Sequence, residues 1–495
     1  MPTSSKEADR RTTTGVSGLD EILGGGLPAD RLYLIQGDPG VGKTTLALQF
    51  LLDGVRNGEK CLCVTLSETQ DELRLVARSH GWSLEGLNLF ELPLAERVDA
   101  DAENTLFHPS EVELAETTKT LLDEVVRVNP SRVVFDSLSE IRLLSQGPLR
   151  YRRQVLALKQ FFIGRGCTVL LLDDRSSEPG DLHLQSLAHG VIMLEHLAPL
   201  YGADRRRLRV AKMRGVRFRG GHHDVTLETG GMRVFPRLIA ADHRADFERT
   251  QLASRVPRLD ALLGGGLDRG TSTLLMGPAG TGKSTVATQF CHAAASAGER
   301  AAIFVFDESV ATLRRRSASV GFDLGPHVDS GMIEIRQIDP AEVSPGEFAH
   351  LVREAVEVRG VRVLLIDSLN GYLHAMPEES FLTLQLHELL TYLGQMGVAT
   401  MMVVAQHGLV GSAMDSPVDV SYLADAVVVF RHFELEGRMR KAISVLKRRA
   451  GPHEAAIREL VISSAGLQLG ETLDGLEGLM TGIPSRVQLA REVDG

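Results

Sequence analysis

The stretch LIQGDPGVGKTTLALQF at residues 34–50 returns 240 positions later as LLMGPAGTGKSTVATQF at 274–290. No other feature limits the fold as tightly. A glycine-rich turn between a short apolar run and an amphipathic segment calls for a strand before it and a helix after it, and here that demand is made twice. The displacement is close to half of the 495 residues. Single hydrophobic cores stop growing beyond roughly 250–300 residues, so two domains of one plan are expected.

The repeat extends well past the loop. TGVSGLDEILGGGLPADRLYLIQG faces SRVPRLDALLGGGLDRGTSTLLMG, and VTLSETQDELRLVARSHGWSL faces FVFDESVATLRRRSASVGFDL, both displaced by 240. SRVVFDSLSEIRLL faces VRVLLIDSLNGYLH at a displacement of 231, which implies loop insertions and deletions inside a shared fold. Strand-like runs RLYLIQ, CLCVTL, RVVFDS and TVLLLDD alternate with helix-like segments at 43–57, 70–79, 111–128 and 151–164. That alternation predicts βαβ units and a mostly parallel sheet flanked by helices. The later runs VIMLEHL, RLRVAKMR and HDVTLETGGMRVFP predict antiparallel edge strands. Domains are expected at 11–245 and 250–486, with the boundary in the polar stretch 239–254 and a short tail at 487–495.

Gly37-x4-Gly42-Lys43-Thr44 and Gly277-x4-Gly282-Lys283-Ser284 are both P-loops. Glycines let backbone N–H groups close around phosphate oxygens, and the helix that follows favours the negative charge. Lys43 and Lys283 are expected on the β/γ-phosphates, with Thr44 and Ser284 on Mg²⁺. Asp136 ends RVVFD and Asp367 ends VLLID, the strand-tip position from which a carboxylate supports the same ion. LSET and FDES bring Glu68 and the pair Asp307-Glu308 to the same rim, where a carboxylate could orient a water or accept a hydroxyl proton. Helix capping by Ser67 and Asp307 is the rival reading.

Two basic stretches, DRRRLRVAKMRG (204–215) and GRMRKAISVLKRRAG (437–451), occupy equivalent late positions. They read as solvated strands, as a nucleic-acid patch, or as cations that one subunit lends to a neighbour's phosphates. His222 and His223 are adjacent in a strand-like run and so point opposite ways, which speaks against a metal pair. A net charge of −10 argues against a chain built to coat nucleic acid. No apolar run approaches the ~18 residues of a membrane span, and the first residues lack the apolar core of a signal peptide, so a soluble cytoplasmic protein is expected. The four cysteines, Cys61, Cys63, Cys167 and Cys291, are expected to be buried structural thiols, Cys61 and Cys63 on opposite faces of a strand.

The ordered set LDEILGGGLP, P-loop, SET/DES, DSLS/DSLN and KMRG/KRRAG, with TGIPSR near the end, resembles the KaiC-like family over about residues 14–485. The resemblance implies two tandem RecA-like α/β P-loop domains stacked as tiers of a homo-oligomeric ring, usually a hexamer, with ATP and Mg²⁺ at subunit boundaries. It implies ATPase activity, serine/threonine autokinase activity in the second domain, and a regulatory protein partner whose identity the sequence does not give. Its nucleotide-binding positions fall on Gly40, Val41, Gly42, Lys43, Thr44 and Thr45, and on Ala279, Gly280, Thr281, Gly282, Lys283, Ser284 and Thr285. Its contacts to a neighbour's nucleotide fall on Lys212, Arg214, Lys447 and Arg449, with Lys441 where the family has Arg. Ser79 matches a position near the nucleotide base, and Val320 is read as its counterpart in place of an aromatic residue.

The departures from the family are specific. Adjacent glutamates are replaced by Ser67-Glu68 and Asp307-Glu308, and the phosphorylated Ser-Thr pair by Ser421-Tyr422, leaving Ser421 as the candidate phosphosite. The tail through which the family's clock member engages a partner is expected to be missing or reduced. Two other readings stay open: a RecA/RadA-like DNA-dependent motor, against which the acidic total counts, and a nucleotide-gated scaffold with little turnover.

Overall fold

The computed structural model describes residues 10–92, 109–145, 147–175, 181–199, 202–374, 381–406, 422–479 and 485–486. It divides into two compact units between Arg237 and Leu238. The first unit contains β1 (Leu32–Gly37), β2 (Cys61–Thr65), β3 (Asn88–Glu91), β4 (Arg132–Asp136), β5 (Thr168–Asp174), β6 (Gly190–Leu197), β7 (Arg205–Met213), β8 (His223–Glu228) and β9 (Gly231–Phe235). They form one sheet in the order β9-β8-β7-β6-β1-β5-β4-β2-β3. The run from β6 to β3 is parallel, and β7, β8 and β9 are added antiparallel. Helices α1 (Lys43–Arg56), α2 (Gln70–Ser79), α3 (Pro109–Val128) and α4 (Pro148–Phe162) belong to this unit.

The second unit repeats the plan. Its strands are β10 (Ser272–Gly277), β11 (Ala301–Val305), β12 (Ile333–Gln337), β13 (Val363–Asp367), β14 (Ala399–Ala405), β15 (Ala426–Leu435), β16 (Arg438–Arg448), β17 (Arg458–Ser463) and β18 (Gly466–Thr472). The order β12-β11-β13-β14-β10-β15-β16-β17-β18 matches the first sheet strand for strand up to the antiparallel edge. Its helices include α5 (Lys283–Ser296), α6 (Val310–Ser319), α7 (Pro345–Glu357) and α8 (Leu382–Gln395).

Both faces of each central sheet are covered, and the strand period of two sorts side chains between them. Leu32 and Leu34 pack with Val133, Phe135 and Phe162 on one face. Tyr33 and Ile35 pack with Phe50, Leu170 and Leu172 on the other. Phe50 and Leu51 tie α1 to the sheet, each buried side chain contributing roughly 1.5–3 kcal/mol. Cys61 and Cys63 share one face, with Leu62 on the other, because residues two apart in a strand point the same way. The expectation of opposite faces was therefore wrong, while all four cysteines are buried and free. Arg132 is 1% exposed at the start of β4 and reaches Asp53, Glu59 and the carbonyls of Thr13 and Phe50.

Residues 238–245, which the sequence reading placed with the first domain, pack on the second unit. Leu238 and Ala240 enter its core. The Ala240 N–H donates to Glu388 at 2.7 Å, and the Ala245 N–H donates to the carbonyl of Gln395 at 3.2 Å. The segment lacks periodicity because it is irregular backbone laid against α8, not because it is free of contacts.

Candidate nucleotide sites

In each unit the central strand ends at the first glycine of the loop. A Cβ on Gly37 would lie 2.7 Å from the carbonyl oxygen of Leu194, and one on Gly277 2.3 Å from that of Phe430, so only glycine fits. Gly42 and Gly282 precede the helices at φ of 105° and 102°, left-handed values that glycine adopts without a Cβ penalty. The turn therefore aims the first N–H groups of α1 and α5 back into the loop.

In the first unit the amine of Lys43 is buried and donates to the carbonyls of Gly37 and Asp38, each at 2.9 Å. It also pairs with Asp174 at 2.7 Å. Thr44 donates its hydroxyl to Asp136 at 2.7 Å. Burial pushes the Asp136 carboxyl above the usual range, against the Thr44 hydrogen bond and the Lys43 charge. In the second unit Lys283 donates to the carbonyls of Gly277 and Pro278, each at 2.8 Å. Burial lowers its amine to about 8. Burial also raises Asp367 to about 6, opposed by a hydrogen bond from Ser284, and one of its buried oxygens has no partner. A threonine or serine hydroxyl held against a buried strand-tip carboxylate is a donor set that fits Mg²⁺.

The rim carboxylates differ between units. Glu68 is half-buried, and its Oε2 has no hydrogen-bond partner. Burial raises its carboxyl, helped by the charge of Asp136. Thr65 fixes the turn by donating to the Glu68 carbonyl at 2.5 Å and accepting from the Glu68 N–H at 3.1 Å. Glu308, the matching residue, is paired with Arg316, which also donates to Thr285 at 3.2 Å. Asp307 accepts from Ser368. Helix capping falls to neither Ser67 nor Asp307. Thr69 caps α2 with Glu72 in a capping box, and Ser309 caps α6.

Ser79 is exposed at the end of α2 and donates to the carbonyl of Val76 at 2.7 Å. Helix α6 ends at Ser319, so Ser79 corresponds to Ser319 and Val320 to His80, which corrects the pairing drawn from sequence. His80, which the sequence reading passed over, faces Thr45 at 3.4 Å and the carbonyl of Glu228 at 2.9 Å, beside Trp82.

The late cations sit away from their own loops. Gly37 pairs with Leu194, whereas Lys212 pairs with Val191 and Met213 with Gly190. Three to four residues of strand, about 10–13 Å, separate the two levels. Lys212 donates to the carbonyls of Gln185 at 2.6 Å, Ser186 at 3.3 Å and Ala188 at 2.9 Å, and Arg214 to that of Ser186 at 2.7 Å. Lys447 donates to the Ala424 carbonyl at 2.9 Å. Arg449 reaches Asp425 at 3.3 Å and the Tyr422 carbonyl at 3.0 Å. Lys441 is not brought together with them. It lies at the other end of β16 opposite His432, whose ring contacts the Ala279 carbonyl of the P-loop at 3.1 Å. Tyr422 is exposed, and Ser421 lies outside the described residues.

One buried network has no counterpart in the sequence reading. Asp173, fully buried, accepts from Arg142 at 2.7 Å and from Gln36 at 3.1 Å, and Gln185 donates to Gln36 at 2.8 Å. At the matching register the second unit has Met276 beside Val404. Among the described residues no cluster of His, Cys, Asp and Glu is placed to hold a metal, and no helix is long and apolar enough to cross a membrane.

Two mostly parallel α/β sheets, each with a P-loop on its central strand and an acid on the tip of a nearby strand, define a tandem P-loop nucleotide-binding protein. The family model described as "ATPase: KaiC" matches residues 12–239 and 252–474, and the chain belongs to that family. It is similar to the circadian clock oscillator protein KaiC of Parathermosynechococcus lividus, 28% identical over 96% of this chain and 88% of the relative. The KaiC proteins of Parasynechococcus marenigrum and Synechococcus elongatus are each 26% identical, covering 97% and 98% of this chain and 94% and 93% of their own lengths.

Proposed function

We propose that the chain is an ATP-binding and ATP-hydrolysing regulatory protein that assembles as a homo-oligomeric ring, acts in the cytoplasm, and phosphorylates itself weakly on Ser421. The observation that carries this reading is the pair of matching cradles. In both, a buried lysine rests on P-loop carbonyls while a strand-tip aspartate meets the Thr44 or Ser284 hydroxyl.

The phosphates would lie along Gly37–Thr45 and Gly277–Thr285, with Lys43 and Lys283 as the point charges on their β/γ oxygens. Thr44 with Asp136, and Ser284 with Asp367, would hold Mg²⁺, which when bound neutralises developing phosphate charge. Glu68 is the proposed water-orienting carboxylate of the first domain, since it has a free acceptor oxygen at the rim. Asp307 and Glu308 take that part in the second domain, but both are engaged by neighbours, which supports slow chemistry there. Lys212, Arg214, Lys447 and Arg449 sit away from their own loops, which supports a role on a neighbour's nucleotide; Lys441 sits beside its own loop.

The curated relatives are named as clock oscillators. A rhythm is not proposed here, because Ser421-Tyr422 cannot support a two-site Ser/Thr cycle. Incubation with MgATP followed by mass spectrometry tests the autokinase part: phosphate on Ser421 that is lost in Lys283→Ala supports it. No phosphate on Ser421 would refute it.

A further inference from the structure

The two sites differ by one charge at the P-loop lysine. In the first sheet Gly37 pairs with Asp174 at the end of β5, and the Asp174 carboxylate reaches the Lys43 amine at 2.7 Å. In the second sheet Gly277 pairs with Ala405, so the matching position carries a methyl group and no charge. The support for each position differs to match. Ser139 donates its hydroxyl to the second oxygen of Asp174 at 2.9 Å. Asn370, the equivalent of Ser139, instead exchanges two hydrogen bonds with the backbone of Ala405, at 2.9 and 2.7 Å.

The Lys43 side chain is 8% exposed, whereas that of Asp174 remains about two-fifths exposed and can turn outward. Burial tends to raise the Asp174 carboxyl, but the Lys43 and Ser139 hydrogen bonds outweigh it and the carboxyl sits below its ordinary value. It is therefore a full negative charge on the one cation the loop offers to phosphate. Phosphate oxygens approaching Lys43 either displace that carboxylate or stand beside it, and each costs binding energy.

We propose that Asp174 is a charge gate on the first nucleotide site: its carboxylate competes with the β/γ-phosphates for Lys43, so the first site binds ATP less tightly than it would with an uncharged side chain at 174. This rests on the ATP-binding reading above. The competition is felt most by the γ-phosphate, so the carboxylate should reduce the first site's preference for ATP over ADP.

The test uses the full chain carrying Lys283→Ala, which confines binding to the first site. The sole tryptophan, Trp82, lies beside His80, and His80 faces Thr45 of α1, so its fluorescence reports on that site. Titrations with MgATP and MgADP are compared for Asp174, Asp174→Asn and Ser139→Ala. Asp174→Asn should lower the Kd for ATP roughly tenfold, the effect of one charge at intermediate dielectric, and should lower that for ADP less. Ser139→Ala, which loosens the carboxylate without deleting it, should shift ATP affinity the same way by a smaller factor. Thermal melts show whether each variant is folded, and the serine variant keeps the test open if the asparagine variant is not. Unchanged or weaker ATP binding in folded Asp174→Asn would overturn the gate while leaving the ATP-binding reading intact. Absence of any nucleotide response in every protein, confirmed by calorimetry, would overturn both.

Discussion

Replacing Glu68 by Gln should lower ATP turnover in the first domain by about 10²–10³, within the range a positioned general base supplies. The structure sets the expectation through contrast. Glu68 has a buried oxygen with no partner, and burial raises its carboxyl, so it is poised to accept a proton from water. Glu308 is paired through one oxygen with Arg316, whose second contact is Thr285 on the P-loop helix, so its charge is already partly balanced and it is less ready to take a proton. Glu308→Gln should thus cost the second domain far less. Phosphate release is read in Lys283→Ala for the first domain and in Lys43→Ala for the second. Ser67→Glu, which adds a second carboxylate beside Glu68, should raise first-domain turnover. Equal losses from Glu68→Gln and Glu308→Gln, or full activity in Glu68→Gln, would refute the argument. If Ser67→Glu changes nothing while Glu68→Gln abolishes turnover, Glu68 acts alone.

Arg214→Ala should reduce turnover by about 10³ or more if it stabilises a neighbour's transferring phosphate. Mixing it with Lys43→Ala should restore part of the rate through mixed interfaces, and mixtures no better than their parents would exclude that role. Asp367→Asn should stabilise the nucleotide-free protein near neutral pH. Its folded carboxyl, at about 6, lies above the unfolded value of 3.8, so stability falls as pH rises from about 4 to 6 and stays lower beyond. The shift is worth on the order of 3 kcal/mol; melts at pH 4.5 and 7 should show a difference that the Asn variant loses, and an unchanged difference would contradict it. Size-exclusion chromatography with ATP should show Lys43→Ala assembling less well than Lys283→Ala; equal assembly would reject the larger role of the first domain.

The parts of the sites that local sequence dictates were legible. A P-loop is a contiguous turn whose glycines, lysine and hydroxyl are fixed by spacing, and Asp136 and Asp367 end short, β-branched apolar runs that read as strands and are strands. What depended on register was not legible. Asp174 matters because β5 pairs with β1 so that it meets Gly37, and Gln36 and Asp173 are linked the same way. Arg316 reaches Glu308 across a helix turn and a loop, and nothing in the run RRRSAS distinguishes it from its solvated neighbours. Lys441 was grouped with Lys447 and Arg449 because the family resemblance puts a contact there, but six residues of strand carry it to the opposite end of the sheet, about 20 Å away. The pairing of Ser79 with Val320 was a one-residue slip that the displacement of 240 already exposes and the helix ends confirm.

The most direct measurement is steady-state phosphate release by the full chain, by Lys43→Ala, by Lys283→Ala and by the double variant, each with and without single-stranded DNA. Two independent ATP-hydrolysing sites predict slow turnover in the unmodified chain, a residual rate in each single variant, none in the double variant, and no response to DNA. Stimulation by DNA would point to a strand-handling motor, and no hydrolysis by the unmodified chain would leave a nucleotide-gated scaffold; either result contradicts the account.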